Sequence, residues 1–358
     1  MCAFTLNTTP RMTQHLVNDC RAFVDDPIVI FDVGARGGLN AEWAVFGEQM
    51  RVYCFEPDEE ECNRLKAEAP PQVTYLPTAL GRRSGDATLF ESKLAFSISL
   101  YKTRMDYFNR FVNRDNGVVV SERTITVKSL DDTMKLHGID HVDFLKLDAE
   151  GAELDILMGG EEILRSGSLL GLLSEIRLHE EINGSPPFAS LDAFVRDQGL
   201  RLYNIAVNHH SRVALPYPQL NDYRLDTGEK FFAYTTHGQV QDGDAIYFRD
   251  LFTRPDSKLS SILKLCALME IYMLNDCAAE LIVANKERLK TIADPAHLLN
   301  LLTSGVSDKY ASYEDYVASY FSAHSGRSAD LQATRDGGSG QAKPQGMLAR
   351  LVRRFSSR

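Results

Sequence analysis

Short apolar runs alternate with segments of helical periodicity in the first half of the chain, and no other feature limits the fold as much. Five of these runs have the length of buried strands: residues 27–33, 51–55, 73–80, 142–147 and 169–176. Parallel strands covered on both faces read as unbroken apolar runs, and they need helical crossovers between them. The sequence therefore predicts an α/β fold with a mostly parallel sheet and helices on both faces.

Two further helices and two further strands complete the predicted sheet domain. Residues 58–69 begin with acidic residues, and residues 150–164 have apolar residues at helical spacing, so both segments are expected to be helices. Residues 201–208 and 244–250 are expected to be later strands that close the sheet with antiparallel pairing. The sheet domain should therefore end near residue 250.

The predicted sheet domain, residues 27–250, is flanked by segments of different character. Residues 1–26 form a helical lead-in, and residues 258–322 have only helical periodicity, which predicts a helical appendage. Residues 325–344 are polar and rich in Gly and Ser, as is typical of a flexible linker. Residues 345–358 combine an apolar helical face with four arginines and no acidic residue. They predict a basic amphipathic helix that could contact an anionic membrane, and a disordered, solvated end is the alternative.

The charge balance narrows the class of partner. The 358 residues include 39 Lys and Arg against 49 Asp and Glu, a net charge of -10, so no nucleic-acid partner is expected. The six cysteines lack CxxC spacing, which argues against a zinc site and a disulfide framework. We find no secretory-signal pattern and no apolar run of about 18 residues, the length that spans a bilayer. We expect the protein in the cytoplasm, where the basic tail could hold it at the cytoplasmic face of the membrane.

A glycine-rich turn follows the first predicted strand. The segment DVGARGG at residues 32–38 places Asp32 before the glycines, and Glu56 ends the next strand. A dinucleotide fingerprint starting at Gly34 needs glycine at positions 36 and 39, where arginine and leucine stand, so that pattern fails. S-adenosylmethionine (SAM) fits better, because its cationic groups favour Asp32 and its ribose hydroxyls can donate to Glu56. Glycines also let the backbone turn tightly and pass close to a ligand.

Several stretches together resemble the FkbM family of SAM-dependent methyltransferases. They are DVGARGG (32–38), FEPDEEECNRL (55–65), TALG (78–81), FSISL (96–100), VKSLDD (127–132), FLKLDAEGAELDILMGGEEIL (144–164) and SEI (174–176). The resemblance covers residues 28–250 and implies a class I Rossmann-like fold that transfers a methyl group from SAM to an oxygen, commonly a sugar or natural-product hydroxyl. The chain departs from the family at Arg36, where members usually have asparagine, and this places a cation near the expected sulfonium pocket.

The resemblance also implies a set of cofactor-binding residues. Thr78 and Ala79 follow the third strand and would line the adenine. Asp148 follows the fourth strand, where the methionine portion of SAM would meet the acceptor. A helix N-cap is the alternative role for Asp148. The full set is Asp32, Gly34, Arg36, Gly38, Glu56, Thr78, Ala79 and Asp148.

Methylation of a hydroxyl requires alignment of the reacting atoms and a general base. Asp148, Glu150, Glu175 and His179 follow neighbouring strands, and any of them could serve as the base; Asp148, Glu175 and His179 are the catalytic candidates. Histidine titrates near neutral pH, which suits a base, but a loop histidine is more often simply exposed. Asp148, Glu150 and Glu175 could also hold Mg²⁺ and so make a bound hydroxyl more acidic, although no metal-specific spacing is present.

The long segment between the third and fourth strands, residues 81–139, is expected to cover the site and contact a polar acceptor. Its alternative role is a surface excursion whose aromatic residues pack onto the sheet. The histidine pair after the sixth strand offers a further base. The acceptor-binding candidates are Ser97, Ser99, Tyr101, Arg104, Glu150 and His209, with His210 beside the last of these.

These observations predict a SAM-dependent O-methyltransferase that acts on a hydroxylated small molecule or a glycan, such as a surface polysaccharide, a glycolipid or a glycosylated natural product. Two alternatives stay open. The first is a SAM-binding but catalytically idle module whose helical appendage assembles with a partner enzyme. The second, a nicotinamide-dependent oxidoreductase, is weakened by the failed fingerprint. The appendage could also form the interface of a homo-oligomer.

Overall fold

The computed structural model describes residues 4–94, 98–216, 221–224, 230–233, 236–254, 256–304 and 309–333. The strands in chain order are β1 (Ile28–Val33), β2 (Met50–Phe55), β3 (Val73–Leu76), β4 (Ala79–Leu80), β5 (Gly85–Ser92), β6 (Ile98–Ser99), β7 (Val119–Lys128), β8 (Phe144–Leu147), β9 (Gly171–Arg177), β10 (Leu200–His210), β11 (Asn221–Arg224), β12 (Lys230–Ala233) and β13 (Gln239–Arg249).

The helices in chain order are α1 (Arg11–Asn18), α2 (Glu59–Glu68), α3 (Met105–Phe108), α4 (Leu130–His137), α5 (Glu153–Met158), α6 (Glu161–Ser166), α7 (Phe188–Asp197), α8 (Leu259–Ile271), α9 (Asn275–Leu289), α10 (Pro295–Ser304) and α11 (Tyr313–Ala333). Two 3₁₀ helices span Ala41–Gln49 and Arg114–Gly117.

Seven strands form the main sheet in the order β10-β13-β9-β8-β1-β2-β3. The pairs among β3, β2, β1, β8 and β9 are all parallel, whereas β13 runs antiparallel to both β9 and β10. The predicted α/β fold with an antiparallel closing strand is therefore confirmed. Because parallel strands end at the same edge, the residues that follow β1, β2, β8 and β9 meet there.

Helices cover both faces of this sheet, as predicted. One apolar cluster joins the sheet to α1, α2 and the helical segment α8–α10, and it includes the fully buried Trp43. The other joins the opposite face to α4–α7. The predicted appendage is thus part of the cover of one sheet face, and its Lys264 lies buried 2.9 Å from Asp143 at the start of β8.

The predicted third strand, residues 73–80, divides between two sheets. Strand β3 ends at Leu76, and Ala79–Leu80 form β4, which pairs with β7 in a four-stranded sheet of order β4-β7-β5-β6. Pro77 lies at the break and has no N–H with which to continue the ladder. The long segment 81–139 supplies most of this second sheet together with α3 and α4.

The predicted helix at residues 150–164 was wrong in its extent, because the structure has two short helices there. They are α5 and α6, and Gly159 and Gly160 lie between them. A Cβ on Gly159 would lie 2.4 Å from the carbonyl oxygen of Gly81. The backbone of Gly159 also accepts a hydrogen bond of 3.0 Å from the N–H of Asp131 at the start of α4. Close passage of three chain segments therefore requires glycine and interrupts the helix.

The C-terminal part differs from the prediction at one point. Helix α11 continues to Ala333, so the first residues of the predicted linker 325–344 are helical. This stretch contains alanine, leucine, arginine and glutamine, which have high helix propensity. The linker prediction rested on the polarity of the segment and did not take this propensity into account. The rest of that linker and the predicted basic tail at 345–358 lie outside the described residues. Within the described ranges, no helix is long and apolar enough to cross a membrane.

Candidate active site

A cavity of about 670 Å³ lies at the carboxyl edge of the main sheet, between the ends of β1, β2, β8 and β9. This volume is within the usual range for small-molecule sites, about 300–1,000 Å³. Its apolar walls come partly from the second sheet, through Leu89, Ile98 and Leu100. The predicted residues that line it are Asp32, Gly34, Arg36, Gly38, Glu56, Thr78, Ala79, Asp148, Glu150 and Glu175.

Asp32 and Asp148 lie on either side of a lysine that the sequence analysis did not select. The Nζ atom of Lys146 is 3.1 Å from the Asp32 carboxylate and 3.5 Å from the Asp148 carboxylate. Burial raises the pKa of Asp32, and Lys146 offsets part of that rise. Burial alone would lower the pKa of Lys146, but the two carboxylates outweigh it and raise this pKa. The lysine is therefore an ionic bridge between the ends of β1 and β8.

The glycine turn after β1 passes directly against the residue after β8. Gly34 has a φ of 78°, and a Cβ there would lie 2.0 Å from the carbonyl oxygen of Asp148. Both the backbone conformation and the contact exclude other residues. Gly38 also has a positive φ, 107°, but a Cβ on it would have its nearest neighbour 3.6 Å away, on Leu65. Gly34 is thus the position at which the turn depends on glycine for close approach.

Arg36 points toward the end of β2 rather than into the pocket near Asp148. Its Nη1 atom is 3.3 Å from the Asp58 carboxylate and 3.9 Å from that of Glu56. Glu56 is buried and accepts a 2.8 Å hydrogen bond from the N–H of Asp58, and burial raises its pKa. The cation that departs from the family pattern therefore lies beside the predicted ribose-binding carboxylate.

Asp148 does not serve as the N-cap of a helix, because α5 begins at Glu153 and Ala152 is its cap residue. The buried carboxylate of Glu153 instead holds the turn before the helix, accepting hydrogen bonds from the N–H groups of Ala149 (2.9 Å) and Gly151 (3.1 Å). The Asp148 side chain is consequently available to the cavity that it lines.

A nearly buried arginine organises the acidic residues next to Asp148. Arg177 ends β9, and its guanidinium lies 2.5 Å from Glu150, 2.9 Å from Glu175 and 3.1 Å from Glu181. Asp242 on β13 is 4.0 Å away. Burial raises the pKa of Glu150 to about 7 and raises that of Glu175 well above its ordinary value, although Arg177 opposes both effects.

Asp148, Glu150 and Glu175 each offer an oxygen within 4.8 Å of the others, which is the spacing a metal ion would require. Arg177 already places its guanidinium against two of them. The donor set is therefore compensated by a cation of the protein itself, and this arrangement gives no specific support for Mg²⁺.

The predicted acceptor-binding residues are mostly engaged elsewhere. The Ser99 hydroxyl donates a 2.7 Å hydrogen bond to the backbone oxygen of Glu150, so it supports the site without lining the cavity. The Tyr101 hydroxyl donates to Asp155 on α5, and Arg104 pairs with the exposed Asp106 and Glu180. Ser97 lies outside the described residues.

The histidine candidates stand apart from the cavity. The Nε2 atom of His179 is 2.8 Å from the backbone oxygen of Val240, and its ring centroid is 6.0 Å from that of Tyr107. His209 is exposed on β10, and the neighbouring His210 lies 3.5 Å from Asp242. Among the described residues that line the cavity, none is a histidine.

Sequence reasoning missed Lys146 and Arg177, which bring the site together. Lys146 interrupts the otherwise apolar strand β8, FLKL, and Arg177 ends β9, GLLSEIR, two residues after Glu175. A charged residue in a strand that is buried on both faces needs a partner, because unpaired burial of a charge is very costly. That interruption was the signal available in the sequence.

Comparison with known proteins agrees with this geometry. Residues 32–202 match the family model described as the methyltransferase FkbM domain. The predicted resemblance to the FkbM methyltransferases is therefore confirmed over residues 32–202, which lie within the main-sheet domain.

The relatives are distant. The 2-O-methyltransferase NoeI of Sinorhizobium fredii (strain NBRC 101917 / NGR234) is 26% identical over 151 residues, which cover 39% of this chain and 59% of NoeI. The chain thus matches about three fifths of that relative's length. Among solved structures, the SAM-bound magnesium protoporphyrin IX methyltransferase ChlM from Synechocystis PCC 6803 is 10% identical with a TM-score of 0.30, covering 66% of this chain and 79% of its own. A SAM-dependent methyltransferase from Agrobacterium tumefaciens is 11% identical with a TM-score of 0.29, covering 67% and 61%.

Proposed function

We propose that the chain is a SAM-dependent methyltransferase that methylates a hydroxyl group, and that SAM binds in the cavity at the carboxyl edge of the main sheet. The observation that carries this proposal is the charge of the cavity. Six carboxylates line it against two cations, Arg36 and Lys146, and they still outnumber the cations when Arg177, which contacts Glu150 and Glu175, is counted. A cavity with this excess of negative charge favours a cationic ligand such as SAM over the phosphates of a dinucleotide.

The residues of the cavity fit the parts of SAM. Glu56, at the end of β2, would accept from the ribose hydroxyls, and Thr78 and Ala79 would lie along the adenine. Asp32 and Asp148 would hold the amino-acid end, where the absent side chain of Gly34 leaves the turn in contact with Asp148. When bound, SAM supplies an electrophilic methyl group on a positively charged sulfur.

The other side of the cavity suits a neutral, hydroxylated acceptor. Asp148, Glu150 and Glu175 offer closely spaced oxygens that can accept hydrogen bonds from hydroxyls. NoeI, whose name describes it as a 2-O-methyltransferase, gives independent support for oxygen as the methylated atom. We therefore infer that the acceptor is a sugar or another polyol, held by carboxylates that fix the orientation of its hydroxyls.

Titration calorimetry with SAM and with S-adenosylhomocysteine tests the cofactor. Wild type should bind both, and Glu56→Gln should weaken binding about 10- to 100-fold, because it removes charge-assisted hydrogen bonds to the ribose. Glu68→Gln, on the exposed side of α2, is the matched control and should bind as wild type does. Absence of binding to folded wild type would refute the proposed cofactor.

A second assay tests the acceptor. The enzyme is incubated with SAM labelled with tritium in its methyl group and a panel of methyl glycosides of hexoses, 6-deoxyhexoses and N-acetylhexosamines. Label in a glycoside, with its position assigned by NMR, is the expected result. Tight SAM binding without label in any glycoside would contradict a sugar acceptor and favour the catalytically idle binding module.

A further inference from the structure

We propose that Glu150 takes the proton from the acceptor hydroxyl, and that Arg177 is a positioning residue that holds the Glu150 carboxylate toward the cavity. This inference rests on the proposed function and assigns its general base. The supporting observations are the backbone of Glu150, the supports of its turn and its contact with Arg177.

The backbone of Glu150 is in the left-handed region, with a φ of 53°. This conformation is uncommon for residues other than glycine, asparagine and aspartate, and it costs of order 1–3 kcal/mol in general. In this conformation the Glu150 carboxylate lies beside those of Asp148 and Glu175, with one oxygen of each within 4.8 Å of the others. A strained residue at the lining of a cavity is a reason to look for a functional role.

Three separate groups hold the strained turn in place. The Ser99 hydroxyl donates to the backbone oxygen of Glu150 at 2.7 Å, and the Ser185 hydroxyl donates to that of Gly151 at 2.9 Å. From the helix side, Glu153 accepts from the N–H of Gly151 at 3.1 Å. These supports come from the second sheet, the loop after β9 and α5. The surrounding structure thus determines the conformation of Glu150, as persistence of strain requires.

Arg177 fixes the other end of the side chain. One of its nitrogens contacts Glu150 at 2.5 Å and Glu175 at 2.9 Å, and the arginine is itself only 10% exposed. Burial, together with the nearby Asp148 and Glu153, raises the pKa of Glu150 to about 7 against the opposing effect of Arg177. A base is most effective when its pKa lies near the working pH, so these surroundings suit Glu150 to the task.

The neighbouring candidates are less suited. Asp148 lies 3.5 Å from the Lys146 cation, which is shared with Asp32 on the cofactor side. Burial raises the pKa of Glu175 well above the ordinary glutamate value, which favours its protonated form. The His179 ring is hydrogen-bonded to the backbone oxygen of Val240 and does not line the cavity. Glu150 therefore combines position, orientation and basicity.

As the acceptor oxygen forms its bond to the methyl carbon, the carbon–sulfur bond breaks with its electron pair on sulfur, and the hydroxyl proton passes to Glu150. The products are a methyl ether, neutral S-adenosylhomocysteine and a protonated Glu150, which then releases its proton to water.

Steady-state kinetics with the glycoside labelled in the acceptor assay tests this role. Glu150→Gln should bind SAM within about threefold of wild type but lose about 100-fold or more in kcat, the usual contribution of a general base. It should also lose the acidic limb of the pH–rate profile. Glu180→Gln, exposed on the neighbouring loop, is the control and should retain wild-type kinetics. A kcat within threefold of wild type, or loss of SAM binding in Glu150→Gln, would overturn the assignment.

Arg177→Lys tests positioning, since it keeps the positive charge but cannot make the same paired contacts. Weaker stabilisation of the Glu150 carboxylate raises its pKa, so the acidic limb should move to higher pH while SAM affinity stays the same. A purely structural role for Arg177 would leave the limb in place, and that result would remove Arg177 from the proposal.

A direct titration makes the test independent of the acceptor. Protein labelled with ¹³C at glutamate carboxyls is titrated by NMR between about pH 4 and 9, with and without S-adenosylhomocysteine. One resonance that titrates near neutral pH should be missing in Glu150→Gln and shifted upward in Arg177→Lys. If the missing resonance instead titrates below about pH 5, where ordinary glutamates do, the base assignment fails even if SAM binds. Failure of SAM and S-adenosylhomocysteine to bind would refute the proposed function separately.

Discussion

Replacing Lys146 with methionine should strongly destabilise the fold, because it leaves a buried carboxylate without its cation. Asp32 is only 1% exposed, and the Lys146 ammonium lies 3.1 Å from it. The same ammonium is 3.5 Å from Asp148 and donates to the backbone oxygens of Val33 and Gly34 at 3.3 and 3.2 Å. Methionine has similar length but supplies neither the charge nor these hydrogen bonds.

The distance between the charges sets the scale of the effect. Two unit charges 3.1 Å apart attract by about 5 kcal/mol at an effective dielectric constant of about 20. The cost of burying the lysine offsets part of this attraction, and breaking a buried pair from one side typically costs about 3–5 kcal/mol. We expect the free energy of unfolding of Lys146→Met to fall by about that amount at neutral pH.

Urea unfolding followed by tryptophan fluorescence measures this loss. Trp43 is the only tryptophan of the chain, and it is fully buried against Phe144 in the core of the main sheet. In the variant the pKa of Asp32 should rise further. The folded state then binds a proton that the unfolded state releases, so the deficit should be small near pH 4 and grow as the pH rises. The double variant Lys146→Met with Asp32→Asn should recover most of the loss. A deficit below about 1 kcal/mol, or no recovery in the double variant, would refute the buried pair.

Two further positions give predictions with the same fluorescence assay. Gly34→Ala should lower the urea midpoint and abolish SAM binding, because the added Cβ would lie 2.0 Å from the Asp148 carbonyl oxygen. At Gly37 an added Cβ would meet nothing within 4 Å, so Gly37→Ala should show only the milder effect of its positive φ. Equal losses in both would contradict the role of close approach. Glu270 accepts hydrogen bonds from the N–H and hydroxyl of Thr13, both at 2.7 Å, so Glu270→Gln should cost about 1–3 kcal/mol. Burial raises the pKa of Glu270, so wild-type stability should fall as the pH rises from about 4 through that pKa, and Glu270→Gln should lack this slope.

The sequence was sufficient to predict those parts of the fold that local patterns specify. Runs such as FLKL and IVIFDV are apolar because both faces of the strand are covered, so their number and spacing identified the parallel sheet. The turn at residues 32–38 and Glu56 could be placed at one edge because parallel strands end there. The carboxylates Asp148 and Glu175 followed from the same argument, and the structure brings both to the cavity.

Features that depend on contacts between distant segments could not be predicted in this way. The break at Gly159 depends on the backbone of Gly81 lying 2.4 Å from where a Cβ would be, a contact between residues far apart in the chain. Arg104 was selected for its charge and its place in a long loop, but its partners, Asp106 and Glu180, direct it to the surface. Side-chain composition alone does not reveal which partner a charged group will take.

Lys146 and Arg177, the two cations at the strand ends, each contact a different pair of carboxylates. Lys146 lies between Asp32 and Asp148, where it reduces the negative charge that would otherwise be buried beneath a bound ligand. Arg177 lies between Glu150 and Glu175, on the side of the cavity that we propose for the acceptor. Without these cations, several carboxylates within a few ångströms would repel one another and take up protons. With them, the carboxylates that line the cavity still outnumber its cations, as the proposed binding of a cationic cofactor requires, and burial still raises the pKa of Glu150, the carboxylate that we propose as the general base.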